Sequence, residues 1–135
     1  MKRVTGIGGI FFKAHDTEKM REWYTKHLAI PEEQGGYGLF WWRDDHNPEQ
    51  RGSTTWSLFK ESTDYFAPSA SPMMINYRVH NLVELLEALK NEGVQIVGGI
   101  DEYEYGKFAW ILDPEGNKIE LWEPIDAPFD NQNEA

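Results

Sequence analysis

Residues 107–124 read KFAWILDPEGNKIELWEP, and this stretch decides the fold. An apolar run over residues 108–112 meets Asp113-Pro114-Glu115-Gly116-Asn117, and an alternating run of Lys118, Ile119, Glu120, Leu121 and Trp122 follows. Pro114 presets φ at the first central turn position, and Gly116 with Asn117 tolerates φ > 0, so the spacing predicts a β-hairpin. On its second strand Ile119 and Leu121 share one face, while Lys118, Glu120 and Trp122 share the other. A mid-strand carboxylate flanked on its own face by an aromatic is expected to look into a cavity.

Working outward, the chain reads as two similar halves. Residues 4–14 are apolar and β-branched, a first strand with Ile10, Phe12 and Ala14 on one face and Gly9, Phe11 and Lys13 on the other. Asp16 or Thr17 caps a helix whose apolar positions Met20, Trp23, Tyr24, His27 and Leu28 recur at helical spacing, which predicts Trp23 and Tyr24 in the core. Residues 35–42 and 54–59 are further strands, separated by a turn-rich polar loop. Residues 65–72, with two prolines and four small residues, read as a linker. The pattern then restarts: a strand over residues 73–80, a helix capped by Asn81 and stopped by Gly93, and strands over residues 94–103, 107–112 and 118–123. The halves register at an offset of about 65 residues, with Ile10 on Ile75, Phe12 on Tyr77, His15 on His80 and Asp16 on Asn81. The repeat is one strand, one helix and three strands, over residues 1–66 and 67–124. Residues 125–135 form an acidic tail expected to fray.

Composition bounds the function. The 135 residues are 40% hydrophobic and 14% aromatic, which suits a chain with a sizeable core. Thirteen basic against twenty-three acidic residues give a net charge of −10, a surface that repels nucleic acid and anionic membranes. No apolar run reaches membrane-spanning length, and the opening residues lack a signal-peptide apolar region. Without cysteine there is neither a disulfide framework nor thiolate chemistry, and a cytoplasmic location is expected.

The double repeat, the strand-to-helix junctions Lys13-Ala14-His15-Asp16 and Arg78-Val79-His80-Asn81, and the closing hairpin with Ile119-Glu120-Leu121-Trp122 carry a resemblance. Over residues 4–124 the chain resembles the vicinal oxygen chelate superfamily of glyoxalase I, extradiol dioxygenases and bleomycin-resistance proteins. The resemblance implies an α+β fold in which two βαβββ modules form curled mixed sheets around a pocket, commonly in a homodimer. It also implies a divalent metal held by residues from the first and last strand of each module. Carried onto this chain, those positions fall on Gly9, Ser57, Met74 and Glu120, and only Glu120 matches. A carboxylate with a glycine and a thioether is a poor metal site, so no metal or other cofactor is expected.

Strand parity places Phe11, Asn76, Arg78, Glu120 and Trp122 on the face away from the helices, with Trp42 and Trp56 or Ser57 added from the first module. This is the composition of a small-molecule pocket. Arg78 would grip a carboxylate or phosphate, and Glu120 is the candidate catalytic base. Alternatively Arg78 and Glu120 pair with each other across the sheet. His15 and His80 read as solvated or capping residues, as does His46 in its polar loop. The leading reading is therefore a metal-free protein that binds a small acidic or aromatic molecule, with Phe11, Trp42, Trp56, Asn76, Arg78 and Trp122 as ligand contacts. The second is a glyoxalase-like lyase, isomerase or dioxygenase using Glu120. The third is a structural or partner-binding protein whose pocket is filled by its own side chains.

Overall fold

The computed structural model describes residues 2–33 and 35–125. In chain order its elements are β1 (Val4–Ala14), α1 (Thr17–Leu28), β2 (Gly38–Arg43), β3 (Arg51–Lys60), β4 (Met73–Val79), α2 (Leu82–Asn91), β5 (Ile96–Tyr103), β6 (Gly106–Leu112) and β7 (Lys118–Pro124). The seven strands make one curled, unclosed mixed sheet in the order β2-β3-β1-β4-β7-β6-β5. The two halves meet at its centre, where β1 and β4 pair antiparallel with Ile10 opposite Ile75. Within each half the first strand pairs parallel with the last. Phe11 sits opposite Ser57, and Asn76 sits opposite Glu120. This parallel pairing is what brings β7, and with it Glu120, to the middle of the sheet.

The halves are less alike than the repeat implies. Three strands follow α2, but only two follow α1 among the described residues. The place of the strand equivalent to β5 is taken by residues 29–33 and 35–37, where Pro31 removes a ladder donor and Gly35 and Gly36 adopt positive φ. The consequence shows in the helices. Both have the expected caps, Asp16 accepting from the Lys19 N–H and Asn81 from the Glu84 N–H. Helix α2 buries Leu82 and Leu85 against Val79, Ala109, Ile111 and Leu121, with Val94 and Ile96 packed beside them. Each such leucine contributes about 1.5–3 kcal/mol. Helix α1 buries no residue fully. Trp23, expected in the core, is 51% exposed and rests on Tyr24 and His27. With no strand in the place that β5 takes in the second half, the outer flank of α1 lacks the cover that Val94 and Ile96 give α2.

Residues 61–72 are not a passive linker. They form a strap over the sheet face opposite the helices, where Phe66 is fully buried with Phe11 and Met74, and Phe59 and Trp110 pack against that group. The closing hairpin is as expected: β6 and β7 pair from Leu112–Lys118 outward, and Gly116 takes φ +83°. The fraying expected for the tail falls on residues 126–135, which lie outside the described residues.

Candidate functional site

Glu120 is 2% exposed at the centre of β7. Its neighbours in the ladders are Asn76 on β4 and Trp110 on β6, so both side chains stand beside it on one face. The Asn76 amide donates to Oε1 at 2.6 Å, and the Trp110 indole N–H donates to Oε2 at 2.9 Å. A third donor comes from the strap, the hydroxyl of Tyr65, also to Oε2. The carboxylate thus takes its hydrogen bonds from uncharged groups, the arrangement a buried charge requires when no cation pairs with it directly. Burial pushes the Tyr65 hydroxyl well above its usual pKa, and the charge on Glu120 pushes it further, so Tyr65 stays a neutral donor. The Lys118 ammonium closes the edge of this cluster, donating to the Tyr65 carbonyl at 2.7 Å and lying 5.3 Å from the Tyr65 ring centroid and 5.5 Å from that of Trp110. Burial lowers the pKa of Lys118, against the pull of the Glu120 and Asp64 charges.

Asn76 is itself 2% exposed, and its Oδ1 finds no hydrogen-bond partner. That oxygen lies against the backbone of Gly8, where a Cβ would overlap it. Glycine at this position is what lets β1 approach the polar row so closely.

Arg78 occupies the next row. It is 3% exposed, and its guanidinium carbon is 5.2 Å from the Trp42 ring centroid and 5.0 Å from that of Trp122. Its Nη1 donates to the Ser53 carbonyl at 3.3 Å. Trp122 stacks on Phe108 with an interplanar angle of 6°, and its indole donates to the Tyr105 carbonyl. The indole of Trp42 donates to the Thr54 hydroxyl. Arg78 and Glu120 do not pair. In register Arg78 faces Trp122 and Asn76 faces Glu120, so the two charges stand in separate rows.

Of the residues expected in a pocket, Phe11, Asn76, Arg78, Glu120 and Trp122 do share the face away from the helices, and Trp42 reaches Arg78. Phe11 is absorbed in the apolar cluster under the strap. Trp56 is a correction: its ring meets Phe12 and Tyr24, on the α1 side of the sheet. The positions Gly9, Ser57 and Met74 also resolve. Gly9 pairs with both Thr55 and Asn76, Ser57 lies opposite Phe11, and Met74 is buried under the strap. The residue opposite Glu120 is therefore Asn76, not Met74. The oxygen and nitrogen groups around Glu120 point hydrogens at it, and an indole N–H is a donor only. Among the described residues no group of three His, Asp or Glu side chains is spaced to hold a metal ion. These residues do not form a divalent-metal ligand set.

Beside Arg78 lies a cavity of about 340 Å³. Trp42 and three cations, Lys2, Arg51 and Arg78, line it together with two carboxylates, Asp44 and Glu123. Both carboxylates are engaged locally, Asp44 with the His46 N–H at 2.8 Å and Glu123 with the Leu82 N–H at the start of α2 at 2.9 Å. The His46 N–H lowers the pKa of Asp44. His46 and His80 stand at the same wall, while His15 forms an exposed pair with Glu61.

Sequence reasoning missed Tyr65 and Trp110. Trp110 was legible: pairing Leu112 with Lys118 across the turn puts Trp110 opposite Glu120. Tyr65 was not, because nothing in a proline-rich stretch says where it folds back.

No curated protein matches the sequence. Among solved structures it is similar to a methylmalonyl-CoA epimerase from Streptomyces coelicolor in complex with 2-nitronate-propionyl-CoA, at 13% identity and TM-score 0.65, covering 90% of this chain and 98% of that one. It is similar to the methylmalonyl-CoA epimerase from Mycobacterium tuberculosis at 20% identity and TM-score 0.55, covering 90% and 89%. A glyoxalase/bleomycin resistance protein/dioxygenase superfamily member from Vibrio splendidus 12B01 matches at 10% identity and TM-score 0.59, covering 87% and 97%. At such identities these likenesses speak for the fold alone. The model of the Glyoxalase/Bleomycin resistance protein/Dioxygenase superfamily matches residues 6–121, and the chain belongs to that superfamily.

Proposed function

We propose that the chain binds a small, flat, acidic molecule in the cavity beside Arg78, without a metal ion. The observation that carries this reading is the concentration of positive charge there. A chain of net charge −10 lines one cavity of ligand-sized volume with Lys2, Arg51 and Arg78 beside the Trp42 ring, together with Asp44 and Glu123. An acid would lie along Trp42 and take its charge-assisted hydrogen bonds from this basic wall. The reading of Glu120 as the base of a lyase, isomerase or dioxygenase is weaker, since its carboxylate already accepts three hydrogen bonds. The third reading, a pocket filled by the chain itself, describes the Glu120 row but leaves the Arg78 cavity unexplained.

The test is a calorimetric titration with benzoate and with benzamide, its uncharged counterpart. Benzoate is expected to bind at least about tenfold more tightly, a difference of roughly 1.4 kcal/mol. Arg51→Glu, which reverses one charge of the wall, should weaken benzoate binding by a similar factor while leaving the melting temperature within a few degrees. Equal affinity for acid and amide would sink the proposal.

A further inference from the structure

The Tyr65 side chain sits in the Glu120 site as a bound molecule would. It arrives from the strap, not from the sheet that builds the site. Its ring lies nearly parallel to Phe59, at 5.6 Å and 11°, and edge-on to Trp110, at 6.2 Å and 89°. Its hydroxyl donates to Glu120, and the Lys118 ammonium lies 5.3 Å from the ring centroid. Take away the covalent link, and this is a phenol held by a carboxylate, two aromatic walls and a cation.

The neighbouring residue anchors the strap. Phe66 is fully buried, whereas Tyr65 is 36% exposed. Rotation about the Tyr65 side-chain bonds therefore moves its ring into solvent while Phe66 stays seated. What remains is preorganised, because Asn76 and Trp110 project from neighbouring strands and still hold the Glu120 carboxylate. Such a site selects on two counts. It needs a neutral O–H donor, since a second carboxylate would be repelled by Glu120, and it favours an electron-rich ring beside Lys118.

We propose that the Glu120 row is a recognition site for phenolic rings, which Tyr65 fills in the free protein and a hydroxylated aromatic molecule takes by displacing the Tyr65 ring. The resident ring weakens any incoming phenol by the fraction of time it spends in place. This site is separate from the Arg78 cavity, and the two proposals fail independently: the cavity is read by acid against amide, this one by phenol against its methyl ether.

The experiment titrates phenol and anisole into the wild-type chain, Tyr65→Gly and Tyr65→Gly/Glu120→Gln, following the Trp110 indole N–H resonance. Phenol is expected to bind Tyr65→Gly at least about tenfold more tightly than wild type, because the competing ring is gone. Anisole, which has the ring but no donor, should bind Tyr65→Gly about tenfold more weakly than phenol. Glu120→Gln in that background should cost phenol a similar factor, as expected when a hydrogen bond to a charged acceptor is lost. A folded Tyr65→Gly that binds phenol no better than wild type, or binds anisole as well as phenol, overturns the assignment. Should Tyr65→Gly fail to fold, Tyr65→Phe keeps the ring contacts and loses only the hydroxyl bond. Phenol must then bind it more tightly than wild type, and equal affinity overturns the proposal just the same.

Discussion

Glu120 is a charged residue at the centre of a sheet, and its place there depends on hydrogen bonds. Removing the carboxylate and removing only its charge should therefore differ. Glu120→Ala strands the Asn76 amide and the Trp110 indole, each an unmet donor costing about 1–3 kcal/mol when buried, so a loss of about 2–6 kcal/mol is expected. Glu120→Gln keeps an acceptor for Tyr65 and Trp110. Its new amide hydrogens would meet Asn76, whose Oδ1 has no partner and can accept them after a flip of the amide. The expected cost is then about 1 kcal/mol, the scale of one ordinary hydrogen bond. Urea unfolding of both variants checks the order, and a Gln variant as unstable as the Ala variant would show that charge, not hydrogen bonding, secures the site. At this scale the sequence was informative wherever one strand sufficed. The alternation around Glu120 placed Glu120 and Trp122 on one face, and the same logic placed Asn76 with Arg78. It misplaced Trp56, and it left open whether Arg78 and Glu120 pair. Both points turn on which residue of one strand faces which of another, a matter of register that parity within a strand does not contain.

The elements that were read correctly carry their own local cause. The caps Asp16 and Asn81, the αL glycine at position 93 and the hairpin turn all hold their form through contacts within a few residues. The hairpin is the clearest case. Asp113 accepts the backbone N–H of Glu115 and of Asn117 at 2.9 Å through Oδ1, and the Asn117 side-chain amide at 2.9 Å through Oδ2. The Asn117 side chain, then its backbone N–H, holds the Asp113 carboxyl below the usual carboxylate range. Because the folded-state pKa is depressed, the stabilisation is complete above the unfolded value of about 3.9 and fades as pH falls through the lower folded value. The melting temperature of the wild type should therefore fall more steeply below about pH 4 than that of Asp113→Asn, which has nothing to protonate there. Parallel slopes for the two chains would mean that Asp113 does not stabilise the turn. What could not be read locally is the strap and the missing strand. Prolines announce an irregular segment but not whether it lies free or folds over a sheet, and a repeat in sequence does not guarantee that each copy keeps every strand. The exposure of Trp23 follows from the second of these, since α1 has the amphipathic spacing of a packed helix without the strand that would complete its cover.

For the molecule as a whole, the open question is what the central face of the sheet holds. The fold brings four strands together there, and in this chain they present Gly9 from β1, Ser57 from β3, Asn76 from β4 and Glu120 from β7, with Tyr65 and Trp110 turned onto the one carboxylate. A divalent ion would have to strip three donors from Glu120 and find its remaining ligands among a serine, an amide and a glycine. We therefore expect the melting temperature to shift by less than about 1 °C when the purified protein is treated with EDTA, or when Zn²⁺, Mn²⁺ or Mg²⁺ is added. The contrast is large enough to measure. An ion present at a hundred times its dissociation constant adds about 2.7 kcal/mol, which for a chain of this size amounts to several degrees. Stability is the proper readout rather than metal content, because a surface of net charge −10 collects divalent cations at low salt without any built site. At about 0.15 M salt the Debye length shrinks to about 8 Å and most of that diffuse attraction is gone. A drop of several degrees on chelation under those conditions would mean that the Tyr65 ring gives way to a metal, and that the Glu120 row binds a cation rather than a phenol.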